Sequence, residues 1–276
     1  LLSLLFAQDI AHVDGAYRPI AVNVLPQFRW PVFSRPSLAG FGCPPKPWIL
    51  VTSKTRAEVE LWRRVLGNEH PFIVENGGAA FLPAGCLPGP VRGGKRRGAY
   101  EVLEWGTPYN ELVASLERAS QSSQCRVRAF HEMTVEEVST LCQLPLEHAV
   151  LATQREYDEP FLILDPERTD ALVAAIEGQG RRWTRGGRFW HILGANDKAL
   201  AVKALAALFE KAYGPVITIG LGDGLNDVPF LNVVAAPVLI RSSHSAELKS
   251  RVPRGLLTDR PGPAGWNDAL LTIIPA

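Results

Sequence analysis

The stretch GPVITIGLGDGLNDVPFL, residues 214–231, decides the fold class of this chain. An apolar run rich in β-branched residues ends in glycines, two aspartates and an asparagine, and a second apolar run follows them. This pattern predicts a buried strand, a tight loop and the start of a helix. Ligands of an open parallel sheet bind at the carboxyl ends of its strands, where Asp223 would lie. We therefore expect a ligand site in this loop.

Strand and helix patterns alternate on both sides of this loop. The sequence predicts strands at PWILVTS (47–53) and APVLIRSS (236–243) and an amphipathic helix at KTRAEVELWRRVLG (54–67). It also predicts a strand at the N-terminal LLSLLFAQD, whose apolar run is too short to span a membrane and lacks the basic start of a signal peptide. These elements predict an α/β fold with a Rossmann-like core and a mostly parallel sheet.

The middle of the chain has a different composition. Residues 87–98, LPGPVRGGKRRG, form a loop-like run, and helical patterns then alternate with short strand-like pieces up to residue 191. We expect residues 84–191 to form an inserted α+β cap domain, and residues 1–83 and 192–276 to form the core domain. The basic residues from Arg92 to Arg97 are expected to lie in a solvated loop.

Net charge and cysteine spacing limit the kinds of ligand that we expect this chain to bind. The 276 residues carry a net charge of +1, which is not typical of a protein that binds nucleic acid. None of the four cysteines has C-x-x-C spacing, which argues against a zinc site and favours reduced thiols in a cytoplasmic protein. We expect a small-molecule ligand rather than a nucleic acid or a membrane.

The loop at residues 222–228 contains the side chains of a magnesium site. Asp223, Asn226 and Asp227 bring the hard oxygen atoms that Mg²⁺ prefers, and such a site leaves room for water and a phosphate oxygen. In the alternative interpretation, Asp227 only caps the following helix and Asp223 only shapes the turn.

Two further positions would bring phosphate-binding groups to the same edge of the sheet. Thr52 and Ser53 follow a predicted strand and offer hydroxyl and backbone N–H groups at the start of a helix. Lys198 begins the helix before the Asp223 strand, where it could neutralise a phosphate and a nucleophilic carboxylate together. The alternative is an ordinary exposed lysine at the start of a helix.

Together these pieces resemble the haloacid dehalogenase (HAD) phosphatase superfamily. Six strings resemble, in order, its mannosyl-3-phosphoglycerate phosphatase family: VTSKTRAEVE, FIVENGG, REYDEP, RGGRFWHILGANDK, GLGDGLNDVPFL and PGPAGW, over roughly residues 47 to 276. The resemblance implies a Mg²⁺-dependent phosphomonoesterase with an inserted cap over the core. It also implies a phosphorylated sugar-glycerate substrate, hydrolysed to phosphate and mannosylglycerate, a compatible solute.

The resemblance implies roles for seven residues of the core. On the substrate side these are Thr52, Ser53, Lys54 and Lys198, and on the metal side Asp223, Asn226 and Asp227. Thr52 would bind the phosphoryl oxygens, and Lys198 would position the phosphate and the nucleophile. Asp223 would bind Mg²⁺, and Asn226 and Asp227 would support it directly or through other groups.

On the cap, the matching strings imply substrate contacts. Arg188 or His191 would face the sugar or the glycerate carboxylate, and arginine suits bidentate binding of a carboxylate. Glu156 and Asp158 would bind sugar hydroxyls. The alternative for these two acids is ordinary packing and surface of the cap.

The first motif of the family, D-x-D-G-T, does not occur in this chain. The resemblance implies an aspartate nucleophile that forms an aspartyl-phosphate, and a second aspartate that acts as acid and base. Asp9 ends an apolar run, but Ala11 stands in the place of the second aspartate. Asp14 keeps the glycine that follows it, but His12 then stands in the place of the nucleophile.

Residues 1–46 also lack the helix pattern that the family has before its second motif, and they contain six prolines after residue 18. One hypothesis is a reading-frame shift upstream of residue 47. Another is a diverged N-terminus in a phosphatase-like protein without activity. A related sugar-phosphate phosphatase and a catalytically inactive binding protein are therefore alternative functions.

Overall fold

The computed structural model describes residues 2–7, 47–186 and 188–273. Asp9 and Asp14, the candidates for nucleophile and acid/base, lie outside these ranges. Within these ranges, every helix is too short or too polar to cross a membrane.

The strands of the described residues form two sheets. The larger sheet contains β1 (Leu2–Ala7), β2 (Trp48–Val51), β3 (Phe72–Val74), β4 (Ala79–Pro83), β5 (Lys95–Arg97), β6 (Tyr100–Glu104), β11 (Val216–Gly222), β12 (Ala236–Arg241) and β13 (Leu256–Pro261). The smaller sheet contains β7 (Val127–Ala129), β8 (Asp158–Ile163), β9 (Arg182–Gly186) and β10 (Phe189–Leu193).

The α-helices of the same ranges pack around these sheets. They are α1 (Arg56–Leu66), α2 (Tyr109–Ser123), α3 (Val135–Cys142), α4 (Leu146–Ala152), α5 (Thr169–Glu177), α6 (Lys198–Tyr213), α7 (Val228–Leu231), α8 (Ser245–Arg251) and α9 (Gly262–Ile273).

The larger sheet has the strand order β13-β12-β11-β1-β2-β3-β4-β6-β5. Neighbours from β13 to β3 are parallel, and neighbours from β3 to β5 are antiparallel. This arrangement confirms the predicted α/β fold with a mostly parallel sheet. Strand β1 lies between β11 and β2, so the carboxyl ends of these three strands meet at one edge of the sheet.

The short strand β2 shows why the core sheet is buried on both faces. Ile49 and Val51 pack into the same cluster as Phe209 of α6, whereas Trp48 and Leu50 belong to the cluster on the opposite face. Because successive side chains of a strand point to opposite faces, an unbroken apolar run is what a strand covered on both sides needs.

The first boundary of the core domain differs from the one expected after residue 83. Strands β5 and β6 pair with each other, and β6 pairs with β4, so residues 95–104 extend the larger sheet. We propose that the inserted domain begins after Glu104. The expectation of a solvated loop is wrong for Lys95–Arg97, because these residues form the edge strand β5.

The inserted region has the α+β character that the sequence predicts. Its four strands form an antiparallel sheet in the order β7-β8-β10-β9. Helices α2 and α5 pack against it through Leu112, Leu116, Leu172 and Ile176. The second face of this sheet includes His191, which is directed towards the core domain and its strand ends.

Candidate active site

The loop after β2 holds Thr52 in a fixed orientation. Thr52 is buried, and its backbone N–H donates a hydrogen bond to the carbonyl of Ile73 on β3 (3.1 Å). Its hydroxyl oxygen accepts a hydrogen bond from the backbone N–H of Lys54 (3.1 Å). The Thr52 hydroxyl is therefore positioned at the carboxyl edge of the sheet, two strands away from the Asp223 loop.

Helix α1 begins with a capping box directly after this loop. The Thr55 hydroxyl accepts from the Glu58 backbone N–H (3.2 Å), and the Glu58 carboxylate accepts from the Thr55 backbone N–H (3.0 Å). Lys54 Nζ lies 3.2 Å from the other oxygen of Glu58. The Ser53 carbonyl accepts a hydrogen bond from Arg155 of the inserted domain (2.9 Å). The loop is thus held by its own helix and by the cap.

Lys198 is a buried cation and not an exposed residue at a helix start. It is the first residue of α6, and the Asp197 carboxylate caps this helix by accepting from the Leu200 backbone N–H (2.8 Å). Its Nζ lies 2.7 Å from Asp227 Oδ1, and both side chains are almost inaccessible to solvent. A buried charge of this kind needs a partner, and Asp227 supplies it.

Asp227 shapes the loop that carries Asp223. Its Oδ2 accepts hydrogen bonds from the backbone N–H groups of Asp223 (3.2 Å) and Gly224 (3.1 Å). Through Gly224 it caps the 3-10 turn Leu225–Asp227, and it also pairs with Lys198, so capping is only part of its role. A Cβ at Gly222 would lie 2.8 Å from the side chain of Asp227, so this close packing requires glycine.

Asp223 is the acid in this loop that stays half-exposed. Burial and the charge of Asp227 raise the pKa of Asp223 to about 6, although Lys198 acts in the opposite direction. Two carboxylates and one ammonium leave a local excess of negative charge, which a divalent cation would relieve. The hard oxygens of Asp223 and Asn226 fit Mg²⁺. Within the described ranges, however, no group of three His, Cys, Asp or Glu side chains could hold a metal by itself.

On the cap, His191 and Asp158 form a buried pair. His191 Nδ1 lies 2.8 Å from Asp158 Oδ1, and Asn76 of the core donates to Asp158 Oδ2 (2.6 Å). Burial acts to raise the pKa of Asp158, but the charges of His191 and Arg155 outweigh it and lower that pKa overall. His191 is therefore oriented from one side by a carboxylate that is itself fixed.

The other nitrogen of His191 lies close to the Asp223 loop. A Cβ at Gly186, on the last position of β9, would lie 3.4 Å from His191 Nε2 and 3.8 Å from Asn226 Nδ2. Both groups therefore approach the same glycine, one from the cap and one from the core. The structure brings His191 together with the Asp223 loop, as a substrate-contacting role for His191 requires.

Glu156 and Asp158 both have charged partners within the protein. Glu156 binds Arg56 (2.9 Å) and Arg97 (2.6 Å), and Asp158 is fully buried. These contacts favour the alternative of packing at the boundary between cap and core. A direct contact of these two carboxylates with sugar hydroxyls stays a prediction.

Arg188 lies on the exposed turn between β9 and β10 and donates a hydrogen bond to the carbonyl of Leu141. Burial raises the pKa of the neighbouring Cys142 thiol to about 11, and the charges of Lys54 and Arg188 both act to lower it. The charge of Glu58, which pairs with Lys54, acts to raise this pKa.

Sequence patterns did not identify three buried polar residues of this region: Glu75, Asn76 and Arg155. Asn76 and Glu75 have φ values of 54° and 46°, in the left-handed region that non-glycine residues rarely adopt. The string ENGG was a signal of such a turn, because Asn and Gly tolerate this conformation best.

The sequence of this chain resembles those of proteins that are named phosphatases. No protein-family model matches the chain. It is 38 % identical over 230 residues to the glucosyl-3-phosphoglycerate/mannosyl-3-phosphoglycerate phosphatase of Persephonella marina, which covers 83 % of the chain and 84 % of that relative. A protein of the same name from Methanococcoides burtonii is 38 % identical over 234 residues, with 83 % and 85 % covered. The mannosyl-3-phosphoglycerate phosphatase of Pyrococcus furiosus is 35 % identical over 189 residues, with 68 % and 75 % covered.

Solved structures resemble the fold over almost the whole chain. Protein 0175 of Thermoplasma acidophilum has a TM-score of 0.64 at 16 % identity and covers 99 % of this chain and 98 % of its own. A sugar phosphatase of HAD subclass IIB has a TM-score of 0.61 at 15 % identity, with 98 % of each chain covered. At these identities the likeness concerns the fold alone.

Proposed function

The chain belongs to the glucosyl-3-phosphoglycerate/mannosyl-3-phosphoglycerate phosphatase family, in the HAD superfamily, and on this basis we propose that it hydrolyses mannosyl-3-phosphoglycerate to mannosylglycerate and phosphate. Membership confirms the resemblance that the six strings carry, and it makes the chain a phosphatase by family. The substrate, the metal and the residue roles are the proposal.

The observation that carries the proposal is the buried Lys198–Asp227 pair. It fixes the Asp223 loop at the carboxyl edge of the sheet, where β1 lies between β2 and β11. Thr52 lies at the same edge, one strand away from β1 on the other side. A phosphoryl group that enters here meets a hydroxyl, an ammonium and an acidic loop from three separate segments.

Asp223 and Asn226 would hold Mg²⁺, which when bound supplies positive charge to the phosphoryl oxygens. The Thr52 hydroxyl would donate a hydrogen bond to a phosphoryl oxygen, and Lys198 Nζ would compensate negative charge on the phosphate and the nucleophile. Asp227 keeps this ammonium in place. Thr52, Lys198 and Asp227 only bind or balance charge, so none of them has to transfer a proton during the reaction.

The nucleophile we propose is Asp9, which follows β1 by two residues in the sequence. Its carboxylate attacks phosphorus, the bond between phosphorus and the glycerate oxygen breaks, and that oxygen takes a proton. Water then attacks the aspartyl-phosphate and releases phosphate. Asp14 is the candidate for the acid that supplies the first proton and the base that accepts the second.

Lys54 and Arg188 are the proposed subsite for the glycerate carboxylate. Lys54 comes from the core and Arg188 from the cap, so one ligand would contact both domains. His191, held by Asp158, would contact the sugar or the bridging oxygen from the cap. A planar guanidinium at Arg188 suits a carboxylate better than it suits a neutral sugar.

The test is phosphate release by the full chain from mannosyl-3-phosphoglycerate, with Mg²⁺ and then with a chelator. We expect release that the chelator abolishes. Asp9→Asn should reduce it by at least about 1,000-fold, because an amide is a poor nucleophile. Asp14→Asn, at the other candidate aspartate, is assayed beside it. Equal activity of Asp9→Asn and the wild type would refute Asp9 as the nucleophile. Glucosyl-3-phosphoglycerate and an unrelated sugar phosphate, assayed in parallel, define the substrate class.

The missing D-x-D-G-T string favours a second candidate, a sugar-phosphate binder without turnover. A folded chain that binds mannosyl-3-phosphoglycerate but releases no phosphate would support this candidate. The motif can be missing because of a frame shift or because the N-terminus has diverged. Reading the coding DNA in the other two frames distinguishes these two origins. A D-x-D-G-T motif in another frame supports a frame shift, and its absence supports a diverged N-terminus.

A further inference from the structure

Contacts of Asn76, in the turn after β3, reach four separate segments of the chain. Its backbone N–H donates to the carbonyl of Thr52 (3.0 Å), and its Nδ2 donates to Asp158 Oδ2 on the cap (2.6 Å). Its Oδ1 lies 3.5 Å from Asn226 Nδ2 in the Asp223 loop. Its backbone carbonyl lies 3.4 Å from the amide nitrogen of Asn196, two residues before Lys198. Asn76 is only 3 % exposed.

The backbone around Asn76 is held in an unusual conformation. Glu75, Asn76 and Gly77 follow one another with φ values of 46°, 54° and 87°. A Cβ at Gly77 would lie 2.2 Å from the carbonyl oxygen of Asp197, so the turn is pressed against the segment that leads to Lys198. Left-handed backbone at non-glycine positions persists only where the surroundings enforce it, and it is common at functional sites. The side chain of Asn76 is therefore held in one place.

The direction of each hydrogen bond follows from the chemistry of the groups. A carboxylate can only accept, so Asn76 must present its Nδ2 to Asp158. Its Oδ1 then faces Asn226, and Asn226 must donate the hydrogen bond from its own Nδ2. This leaves the Oδ1 of Asn226 free for a cation, as the proposed metal site needs. On the other side, Asp158 directs His191 through Nδ1.

We infer that Asn76 is a positioning residue that aligns His191 of the cap with Asn226 of the Asp223 loop. It acts through Asp158 on one side and through the amide of Asn226 on the other, and it does not touch the substrate. This inference rests on the proposed function, since the site it aligns is the proposed phosphatase site.

Two variants test this role. Asn76→Asp keeps the size of the side chain and tolerates the left-handed backbone, but its carboxylate repels Asp158 instead of donating to it. Asn76→Gly keeps the backbone and removes the side chain, in case the first variant does not fold. We expect each folded variant to lower kcat/KM by about 100-fold, mostly in kcat.

Asn68→Asp is the matched control. Asn68 is also buried, and its Nδ2 donates to the Trp48 carbonyl (3.0 Å) away from the site. We expect it to lower the melting temperature while kcat/KM stays within about twofold of the wild type. An equal loss of kcat/KM in Asn68→Asp and Asn76→Asp would mean that only stability is involved, and would overturn the inference.

A double-mutant cycle with His191→Ala separates positioning from a general structural effect. If Asn76 acts through His191, Asn76→Asp costs at least about tenfold less in the His191→Ala background than in the wild type. Effects that simply multiply would overturn the inference.

The imidazole NMR signals of His191 give a readout that needs no turnover. The chain has six histidines, and His191→Ala assigns the relevant signal. We expect it to shift in Asn76→Asp and Asn76→Gly and to stay unchanged in Asn68→Asp. An unshifted signal in the Asn76 variants overturns the inference. A wild-type chain that hydrolyses no phosphomonoester refutes the proposed function instead, whatever the NMR result.

Discussion

Two buried clusters in this molecule have the same imbalance of charge and differ in what they face. In the core, Lys198 is shared by Asp227 and Asp223, and Asp223 remains half-exposed at the edge of the sheet. Between core and cap, one arginine, Arg155, lies 3.8 Å from a carboxylate oxygen of Glu75 and 3.0 Å from one of Asp158. Each cluster thus places two carboxylates around one lysine or arginine.

The two clusters resolve this excess differently. The excess acid of the core cluster, Asp223, can be neutralised by a cation from outside. The excess acid of the boundary cluster, Glu75, is fully buried and accepts hydrogen bonds from the backbone N–H groups of Glu156 and Tyr157. Burial raises the pKa of Glu75 to about 8, and Asp158 adds to this while Arg155 opposes it. An open acid of this kind becomes a binding site, and a sealed one takes up a proton.

The largest expected effect comes from removing the cation of the core cluster. Lys198→Met should abolish phosphate release, by at least about 1,000-fold, because no ammonium then balances the phosphate. It should also lower the free energy of unfolding by about 3–5 kcal/mol, because Asp227 is left buried without a partner. Enzyme assays and urea unfolding measure the two effects. Lys203→Met, at an exposed lysine of the same helix, is the control and should change neither.

Asp223→Asn should separate activity from stability. Activity should fall by about 1,000-fold, whereas stability in a chelator at pH 8 should rise by about 1 kcal/mol, because a repulsive charge is removed. The sign follows from the pKa: a raised pKa means that the stabilising contribution of Asp223 is lost as the pH rises through about 6. A less stable Asp223→Asn chain at pH 8 would contradict the view that Asp223 is an uncompensated acid.

Glu75→Gln should change the pH dependence of stability. The pKa of Glu75 is raised from its ordinary value to about 8, so its contribution is fully present below about pH 4.5 and is lost as the pH rises through 8. We expect the wild type to lose stability between about pH 4.5 and pH 8, by an amount on the order of 1 kcal/mol per pKa unit, and Glu75→Gln to flatten this slope. Urea unfolding at several pH values measures it. Glu69→Gln, at an exposed position, is the control and should keep the wild-type slope.

The smallest effect is expected at an exposed ion pair of the cap. Arg126 binds Asp165 with short contacts, but its side chain is 77 % exposed. Solvent screens such pairs. Arg126→Ala should therefore leave both the melting temperature and phosphate release unchanged within error. A clear loss at Arg126 would show that geometry, and not burial, decides which charges matter in this chain.

Local sequence patterns predicted the positions of polar residues that come directly after a strand. Thr52 and Asp223 come directly after apolar runs, and the ends of parallel strands share an edge, so their proximity could be predicted from local patterns. Lys198 was also identified, since it begins a helix next to such a strand. The α/β core and the α+β insertion followed from the same periodicities.

The sequence was misleading where polar partners come from distant segments. Glu156 resembled a sugar-binding acid, but its partners Arg56 and Arg97 lie 100 and 59 residues away. Asn76 was overlooked because its contacts lie 82 and 150 residues away. The Gly/Pro-rich run after residue 83 hid the return of the chain to the larger sheet through β5 and β6. Such pairings depend on the whole fold and leave no local period.

The position of β1 also has a consequence for how the chain folds. Leu2 pairs with Val216 and Leu5 pairs with Trp48, so β1 completes its place in the sheet only with a strand that is distant in the sequence. Contacts of such high sequence separation slow folding. During synthesis, β1 has to wait until β11 (Val216–Gly222) has been made before its second neighbour exists. An apolar strand that waits unpaired is prone to aggregate, so we expect refolding yield to fall as protein concentration rises.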